Sequence, residues 1–512
     1  MSLSELIKDL PNKRIVGNPE TPIQGIAYDS RQVDKGFLFA AIRGQHLDGH
    51  QFITDAINRG ASAVLAEKPT PPAPPLLKGG IGGVTQVIVP DVREAMAKLA
   101  ALFYGEPCKN MTLIGVTGTN GKTTTTYLAE SILKAAGFHA GVIGTINYRY
   151  GDKIFNAPHT TPESPDLQKI FKEMVDSGVT HCVMEVSSHS LAQKRVDGSI
   201  FAGGVFTNLT QDHLDYHKTM EEYFESKSRL FTDFIAKENK GFAVINVDDL
   251  WGEKLLNLKF KISNLKFIRY SLKQDAEIHP AKISFSERGI EAMLDTPVGS
   301  VKISSPLLGE YNLQNSMAAV GIGIGLGLGK QTIEQGIANL KRVPGRLERI
   351  ISDDGFQAVV DYAHTGDALE RALNTLRPLT KGRLITVFGC GGDRDRGKRP
   401  VMGEIATRLS DFTIITSDNP RSEEPLEIIK EIEAGIDKGD RDVYTVMPDR
   451  HEAIKIAVNM AAGRDIILVA GKGHEDYQII GDKKFHFDDT EEIKKAMKQN
   501  AQGLRFKVQG TK

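Results

Sequence analysis

One stretch, GVTGTNGKTTTT (residues 115–126), limits what this chain can fold into more than any other. An apolar run, TLIGVTG, leads into it and reads as a buried strand. KTTTTYLAESILKAAG leads out of it with the apolar spacing of an amphipathic helix closed by Gly137. A strand, a glycine-rich turn and a helix start present backbone N–H groups and a helix dipole to an anion, so the stretch predicts a phosphate-binding loop. In such a loop Lys122 reaches the β- and γ-phosphates of ATP or GTP, and Thr123 holds Mg²⁺. The alternative, a chance Gly-Lys-Thr, is disfavoured by the flanking strand and helix. The spacing still departs from the usual P-loop, which wants a glycine where Val116 stands; Gly118 lies only three residues before Gly121.

Around this loop the chain alternates short apolar runs with helical stretches. HCVMEVS, GGVFTNL and GFAVINVDD are buried-strand candidates, and such alternation argues for a parallel sheet covered on both faces. Further on, FQAVVDYAHT, GRLITVFGCGGDRD, FTIITSDNPRSEEP and RDIILVAGKGHEDY repeat one device, an apolar strand ending in a loop rich in Asp, Arg, His or Gly. Ligands of open α/β sheets bind at the carboxyl ends of strands, so these four loops are expected to converge. Ahead of the phosphate loop, ASAVLA and TQVIVP are strand-like on either side of a Pro/Gly-rich loop, and VREAMAKLAALFYGEP is helical up to a Gly/Pro stop. The predicted fold is α/β in three domains, 1–106, 107–340 and 341–512, with Pro344-Gly345 a hinge near the second boundary.

A net charge of −1 over 512 residues gives no field for a polyanion, which excludes nucleic-acid binding through bulk electrostatics. The N-terminus has no apolar signal region, and the most apolar run, MAAVGIGIGLGLG, is too short to span a bilayer. Cys108, Cys182 and Cys390 lack metal-ligand spacing and read as buried thiols in a reducing, cytoplasmic setting. No heptad seam argues for more than a monomer.

The shortened loop, followed in order by EVSSHSL (185–191), TNLTQDHLDYH (207–217), YFESKSRLF (223–231), GEYNLQN (309–315), PGRLE (344–348), DYAHTGDAL (361–369) and GKGHE (471–475), resembles the Mur ligases across all three domains. The resemblance implies a uridine-nucleotide-binding N-terminal domain, a central P-loop ATPase-like domain and a Rossmann-like C-terminal domain. It also implies an ADP-forming ligation through an acyl phosphate, with the C-terminal domain closing to align the substrates.

Site residues follow from the resemblance. Gly118, Thr119, Asn120, Gly121, Lys122, Thr123, Thr124, Asn315, Arg346, Asp361 and His364 are implied to bind ATP. Ser30, Gly44, His46, His159, Thr160, Thr161, Ser187 and Arg195 are implied to bind the UDP-linked sugar-peptide, with Arg195 on the acceptor carboxylate. An arginine suits that task because its planar fork matches a carboxylate. Glu185 and His213, each just after a strand, read on their own as phosphate-loop neighbours or as a surface Glu and a capping His; the resemblance makes them Mg²⁺ ligands. Lys227 reads on its own as a solvated helix lysine. The resemblance makes it N6-carboxylysine, an anion that helps bind a second Mg²⁺.

DNPRSEEP (418–425) bears on the amino acid added. On its own, Asp-Asn-Pro-Arg is an Asx-type turn with an exposed arginine. Within the family, enzymes taking meso-diaminopimelate carry this element, whereas lysine-adding relatives generally lack the arginine. Arg421 would pair the distal carboxylate that lysine does not have, and would stand unpaired near lysine's ammonium. Arg394, Asp418, Asn419, Pro420, Gly471 and Glu475 complete the implied diaminopimelate set. The resemblance thus points to UDP-N-acetylmuramoyl-L-alanyl-D-glutamate as acceptor. Two other readings are a folylpolyglutamate synthetase, which would lack the N-terminal domain and the Asp-Asn-Pro-Arg element, and a nucleotide-dependent switch, which would need no array of polar strand ends.

Overall fold

The apolar run before the phosphate loop forms the strand Thr112–Thr117, buried from its second residue onward. The helix after the loop spans Lys122–Ala135. It ends where Gly137 adopts φ +79°, which lets the Phe138 N–H turn back to the Leu133 carbonyl at 3.0 Å. The computed structural model describes residues 1–44, 47–69, 84–235, 241–258, 265–437, 439 and 442–509. These divide into two units: Met1–Ala281 with Leu294–Val301 and Gln314–Ile337, and Lys282–Met293 with Lys302–Leu313 and Ala338–Lys512.

The first unit holds two sheets. In the eight-stranded one the order is Lys266–Tyr270, Phe242–Asn246, Gly203–Phe206, Thr112–Thr117, His181–Glu185, Ala140–Ile143, Asn147–Tyr150 and Lys153–Asn156. The first six run parallel, as the alternating pattern predicts, and the last two add an antiparallel edge. Register decides the chemistry here. Glu185 pairs with Val116 and Phe206 with Thr117, so three strands end level with the start of the phosphate loop. The five-stranded sheet, ordered Arg14–Val16, Thr85–Ile88, Ala63–Ala66, Phe37–Ala40 and Gly25–Ala27, is parallel except at its first pair. The helix Val92–Phe103 covers it, capped by the Asp91 side chain and burying Val92, Met96, Leu99 and Ala100. Tyr28, just past the strand Gly25–Ala27, donates its hydroxyl to Asp166 at 2.7 Å and so ties this sheet to the helix Ser164–Asp176.

In the second unit a six-stranded sheet has the order Glu348–Ile351, Gln357–Asp361, Ile466–Ala470, Leu384–Phe388, Phe412–Ile415 and Tyr444–Val446. Only the first strand is antiparallel to its neighbour. The four runs expected to end in ligand loops are the four central strands, and their carboxyl ends share one edge. The glycine-rich run 317–329 lies largely in the helix Glu310–Gly325, and no helix among the described residues is long and apolar enough to cross a membrane. Cys108, Cys182 and Cys390 are buried and free, as expected; burial pushes Cys108 up to about 11.

Candidate active site

At the phosphate loop the backbone takes conformations that only glycine adopts readily. Gly118 has φ +148° and Gly121 φ +86°; a Cβ at Gly118 would lie 1.9 Å from the Thr207 hydroxyl, and one at Gly121 2.3 Å from Asn315 Oδ1. Two residues just past the carboxyl end of the neighbouring strand Gly203–Phe206 bind the loop. Asn208 accepts the Asn120 N–H on its side chain (2.9 Å) and the Thr119 N–H on its carbonyl (2.9 Å), while Thr207 Oγ1 donates to the Asn120 carbonyl (2.6 Å). Lys122 opens the helix, its ammonium 2.9 Å from the Gly118 and Thr119 carbonyls. Thr123 and Thr124 are buried in the first turn, and Thr125 Oγ1 donates to Asn315 at 3.5 Å. The expected ATP residues of the first unit are therefore together.

Lys227 departs most from what its residues suggest when read alone. It is 1% exposed rather than solvated. The helix Met220–Arg229 carries it inward, 4.5 Å above the Tyr223 ring, and its Nζ donates to the same Gly118 carbonyl as Lys122, at 2.8 Å. Burial and the nearby Lys122 charge hold its pKa well below the ordinary lysine value. His213 stands well past the strand Gly203–Phe206 rather than just after it. It sits at φ +55° before the short helix Leu214–His217, its ring perpendicular to that of Tyr223 with the centroids 6.1 Å apart.

Glu185, the last residue of its strand, is 1% exposed and accepts the N–H and the hydroxyl of Thr145, both at 2.9 Å. Thr145 also pairs with the Thr160 hydroxyl (3.0 Å). Next to it, Thr161 Oγ1 donates to the Glu185 carbonyl (2.9 Å) and accepts the Ser187 N–H (3.2 Å). Arg195 Nη1 donates to the Thr161 carbonyl (2.9 Å), and its Nε lies 3.0 Å from Glu163. The His159 carbonyl accepts from Tyr148. His159, Thr160, Thr161, Ser187 and Arg195 thus form one corner with Glu185. Ser30 is buried at the start of a 3₁₀ turn beyond Tyr28, where it bonds Asp55, and the Gly44 N–H meets the Leu47 carbonyl at 2.8 Å. His46 lies outside the described residues.

In the second unit, Arg346 sits 4.8 Å above the Tyr362 ring, Asp361 accepts the Leu347 N–H at 2.8 Å, and His364 Nδ1 pairs with the Tyr362 carbonyl at 2.8 Å. Burial raises Asp361 while Arg346 pulls it down. The other strand ends build a charged basket. Arg421 is anchored by its Nη1 to the Gly392 carbonyl (2.7 Å), and Asn419 donates its Nδ2 to Glu475 (2.9 Å). Burial raises the Glu475 pKa; Lys472 opposes the shift and Asp418 adds to it. Asp418 and Asn419 are buried, Gly471 at φ +113° lies against Asp418, and Pro420 is buried. Arg394 donates to the Asp393 carbonyl at the basket's exposed rim.

Residues 22–104 match the family model described as Mur ligase family, catalytic domain; 116–323 match the Mur ligase middle domain; and 345–473 match the Mur ligase, glutamate ligase domain. The UDP-N-acetylmuramoyl-L-alanyl-D-glutamate–2,6-diaminopimelate ligase of Geobacter sulfurreducens is 49% identical over 524 residues, covering 98% of this chain and 100% of the relative. That of Geobacter metallireducens is 48% identical over 516 residues, covering 98% and 99%. The chain belongs to the Mur ligase family. A solved UDP-N-acetylmuramoyl-L-alanyl-D-glutamate–2,6-diaminopimelate ligase is 34% identical to this Mur ligase, with a TM-score of 0.69 over 98% of this chain and 99% of that one.

Four residues of this Mur ligase do structural service at the site that their sequence does not announce. Asn208 lies in TNLTQDHLDYH, and its position just past a strand end was the available signal. Tyr223 pairs with the Thr119 hydroxyl (3.2 Å) as well as carrying Lys227. Glu163, bridging Arg195 and Arg93 (3.1 Å), looks like a surface helix-start residue. Lys472 is fully buried, although a lysine between two glycines reads as a solvated turn.

Proposed function

We propose that this chain is an ATP-dependent, ADP-forming ligase. It joins meso-2,6-diaminopimelate to the D-glutamate of UDP-N-acetylmuramoyl-L-alanyl-D-glutamate, in the building of peptidoglycan precursors. The single observation that carries this reading is the presence, at the strand ends of one sheet, of both the anchored Arg421 guanidinium and the Glu475 carboxylate, the latter held by Asn419. Diaminopimelate brings both a carboxylate and an ammonium at its distal end, whereas lysine brings only the ammonium. The names of the two Geobacter relatives agree with it.

The chemistry follows from what the groups can do. A carboxylate is a poor electrophile, so the γ-phosphoryl group of ATP is transferred to it, giving an acyl phosphate and ADP. Lys122 and the loop amides from Gly118 to Thr124 offset the charge of that transfer, with Asn315, Arg346, Asp361 and His364 framing the nucleotide. Arg195 holds the acceptor carboxylate, His159, Thr160, Thr161 and Ser187 grip the sugar-peptide, and Ser30, Gly44 and His46 serve its uridine end. Arg394, Asp418, Asn419, Pro420, Arg421, Gly471 and Glu475 orient diaminopimelate so that its free-base amine attacks the carbonyl. The tetrahedral intermediate then expels phosphate.

Mg²⁺ would be held by Thr123, Glu185, His213 and Lys227, and when bound it neutralises phosphate oxygens. The donor set fits a hard cation on one condition: Lys227 must supply oxygen, which an amine cannot and a carbamate can. Burial beside the Lys122 ammonium favours the neutral form of Lys227, the form that attacks CO₂ to give a carbamate and release a proton, and Lys122 would balance the anion produced. The division of labour is residues 1–106 for the uridine nucleotide, 107–340 for ATP and ligation, and 341–512 for the amino acid. The enzyme works in the cytoplasm as a monomer.

The test is ADP release by the purified protein with ATP and Mg²⁺, with and without the UDP-linked dipeptide, and the mass of the product. A ligase sustains ADP release only with acceptor and diaminopimelate both present, acceptor alone supporting no more than a single round of acyl-phosphate formation, and the product gains one diaminopimelate less water. ADP release indifferent to the acceptor contradicts the proposal.

A further inference from the structure

The segment that presents Arg421 is held from outside its own loop. A hairpin of the strands Tyr477–Ile480 and Lys483–His486 lies along residues 418–421. Gln478 Nε2 donates to the Asp418 carbonyl (2.7 Å), and the Ile479 N–H to the Asn419 side-chain oxygen (2.9 Å). The Arg421 N–H donates to the Ile479 carbonyl (3.1 Å), and the Gly481 N–H to the Arg421 carbonyl (2.8 Å). Arg421 itself has φ +53°, a left-handed conformation that a residue with a side chain keeps only when its surroundings hold it. Both of its peptide groups are bonded to the hairpin.

At the hairpin's base, the buried Lys472 ammonium donates to the Tyr477 carbonyl and to Asn419 Oδ1 (3.4 Å), and it lies 3.6 Å from Glu475. Asn419 therefore has its orientation fixed from both ends. Its oxygen faces Lys472 and Ile479, and its amide nitrogen faces Glu475. One connected set of bonds links hairpin, turn, guanidinium and carboxylate.

We propose that the hairpin 477–486, with Lys472 at its base, sets the amino-acid selectivity of this ligase. It holds Arg421 and Glu475 at the spacing that an amino acid with a distal carboxylate and ammonium requires. This rests on the ligase reading above and deepens it: Gln478 and Lys472 are positioning residues, and Arg421 touches substrate. A hairpin serving only to stabilise the unit would, when weakened, lower melting temperature and all activities together.

The test uses the full-length enzyme and its steady-state constants for diaminopimelate, L-lysine, ATP and the UDP-linked dipeptide. Gln478→Ala removes one bond at a partly exposed position and is expected to raise KM for diaminopimelate about fivefold. It should leave kcat and the KM values for ATP and dipeptide unchanged, and the preference over lysine should shrink by the same factor. Gln478→Glu, which sets a carboxylate against the Asp418 carbonyl, should raise that KM further. Lys472→Met, followed with its melting temperature, should do the same if it folds; if it does not, the Gln478 pair decides. Unchanged KM in both Gln478 variants, or equal losses with diaminopimelate and lysine, overturns the inference alone. Absence of diaminopimelate turnover in the parent enzyme overturns the functional reading and the inference with it.

Discussion

At the scale of single residues, the site depends on charges placed where water cannot easily screen them. Arg421 is anchored to the Gly392 carbonyl yet keeps the rest of its fork for a ligand, so its loss should remove a charge-assisted contact and little else. Arg421→Ala is expected to lower kcat/KM for diaminopimelate by about two orders of magnitude, mostly through KM, as read by phosphate release. Glu475 gives a pH dependence with a definite sign. Burial holds its pKa above the ordinary 4.5, so it loses its charge sooner as pH falls, and with it the attraction for an ammonium. KM for diaminopimelate should therefore rise as the solution is acidified, beginning above pH 4.5, and Glu475→Gln should flatten that limb of the profile. A KM that stays flat through this range in the parent enzyme would contradict the assignment of Glu475.

At the scale of elements, the strand–loop–helix around residues 112–135 works because two glycines let the backbone turn under Thr207 and Asn315. Gly121→Ala would place a methyl group 2.3 Å from the Asn315 oxygen at φ +86°, and is expected to cost about 1–3 kcal/mol of stability and to abolish ATP-dependent turnover. Urea unfolding and ADP release check the two effects. This element and the four central strands of the second unit's sheet were legible in the sequence, because strands buried on both faces read as unbroken apolar runs. Short or solvent-facing strands were not. Lys153–Asn156 is exposed throughout, and the hairpin 477–486 has no apolar alternation to announce it. Lys227 is a different kind of miss. Tyr223, Leu230 and Phe231 lie four before, three after and four after it, all buried, so the helical period had already placed the lysine on the apolar face. Taking it for a solvated residue gave the charge more weight than the spacing. The basket's Lys472 left no such trace, since its burial comes from contacts with Asn419 and Tyr477, distant or irregular in sequence.

At the scale of the whole molecule, the first unit contains both the phosphate loop and the Thr161–Arg195 corner, whereas the residues assigned to the incoming amino acid lie in the second. Activation of the acceptor should therefore not require the amino acid. With ATP, Mg²⁺ and the UDP-linked dipeptide, hydroxylamine is expected to trap the acyl phosphate as a hydroxamate in the absence of diaminopimelate, and the Arg421→Ala enzyme should form it as well as the parent. A hydroxamate that appears only with diaminopimelate would contradict this separation. The most direct test of the function itself is phosphate release by the parent enzyme with ATP, Mg²⁺ and the UDP-linked dipeptide, comparing meso-diaminopimelate with L-lysine. Strong turnover with diaminopimelate and little with lysine is the expected result. Turnover with lysine in preference, or with neither, would contradict a basket built from Arg421 and Glu475 for a diamino dicarboxylic acid.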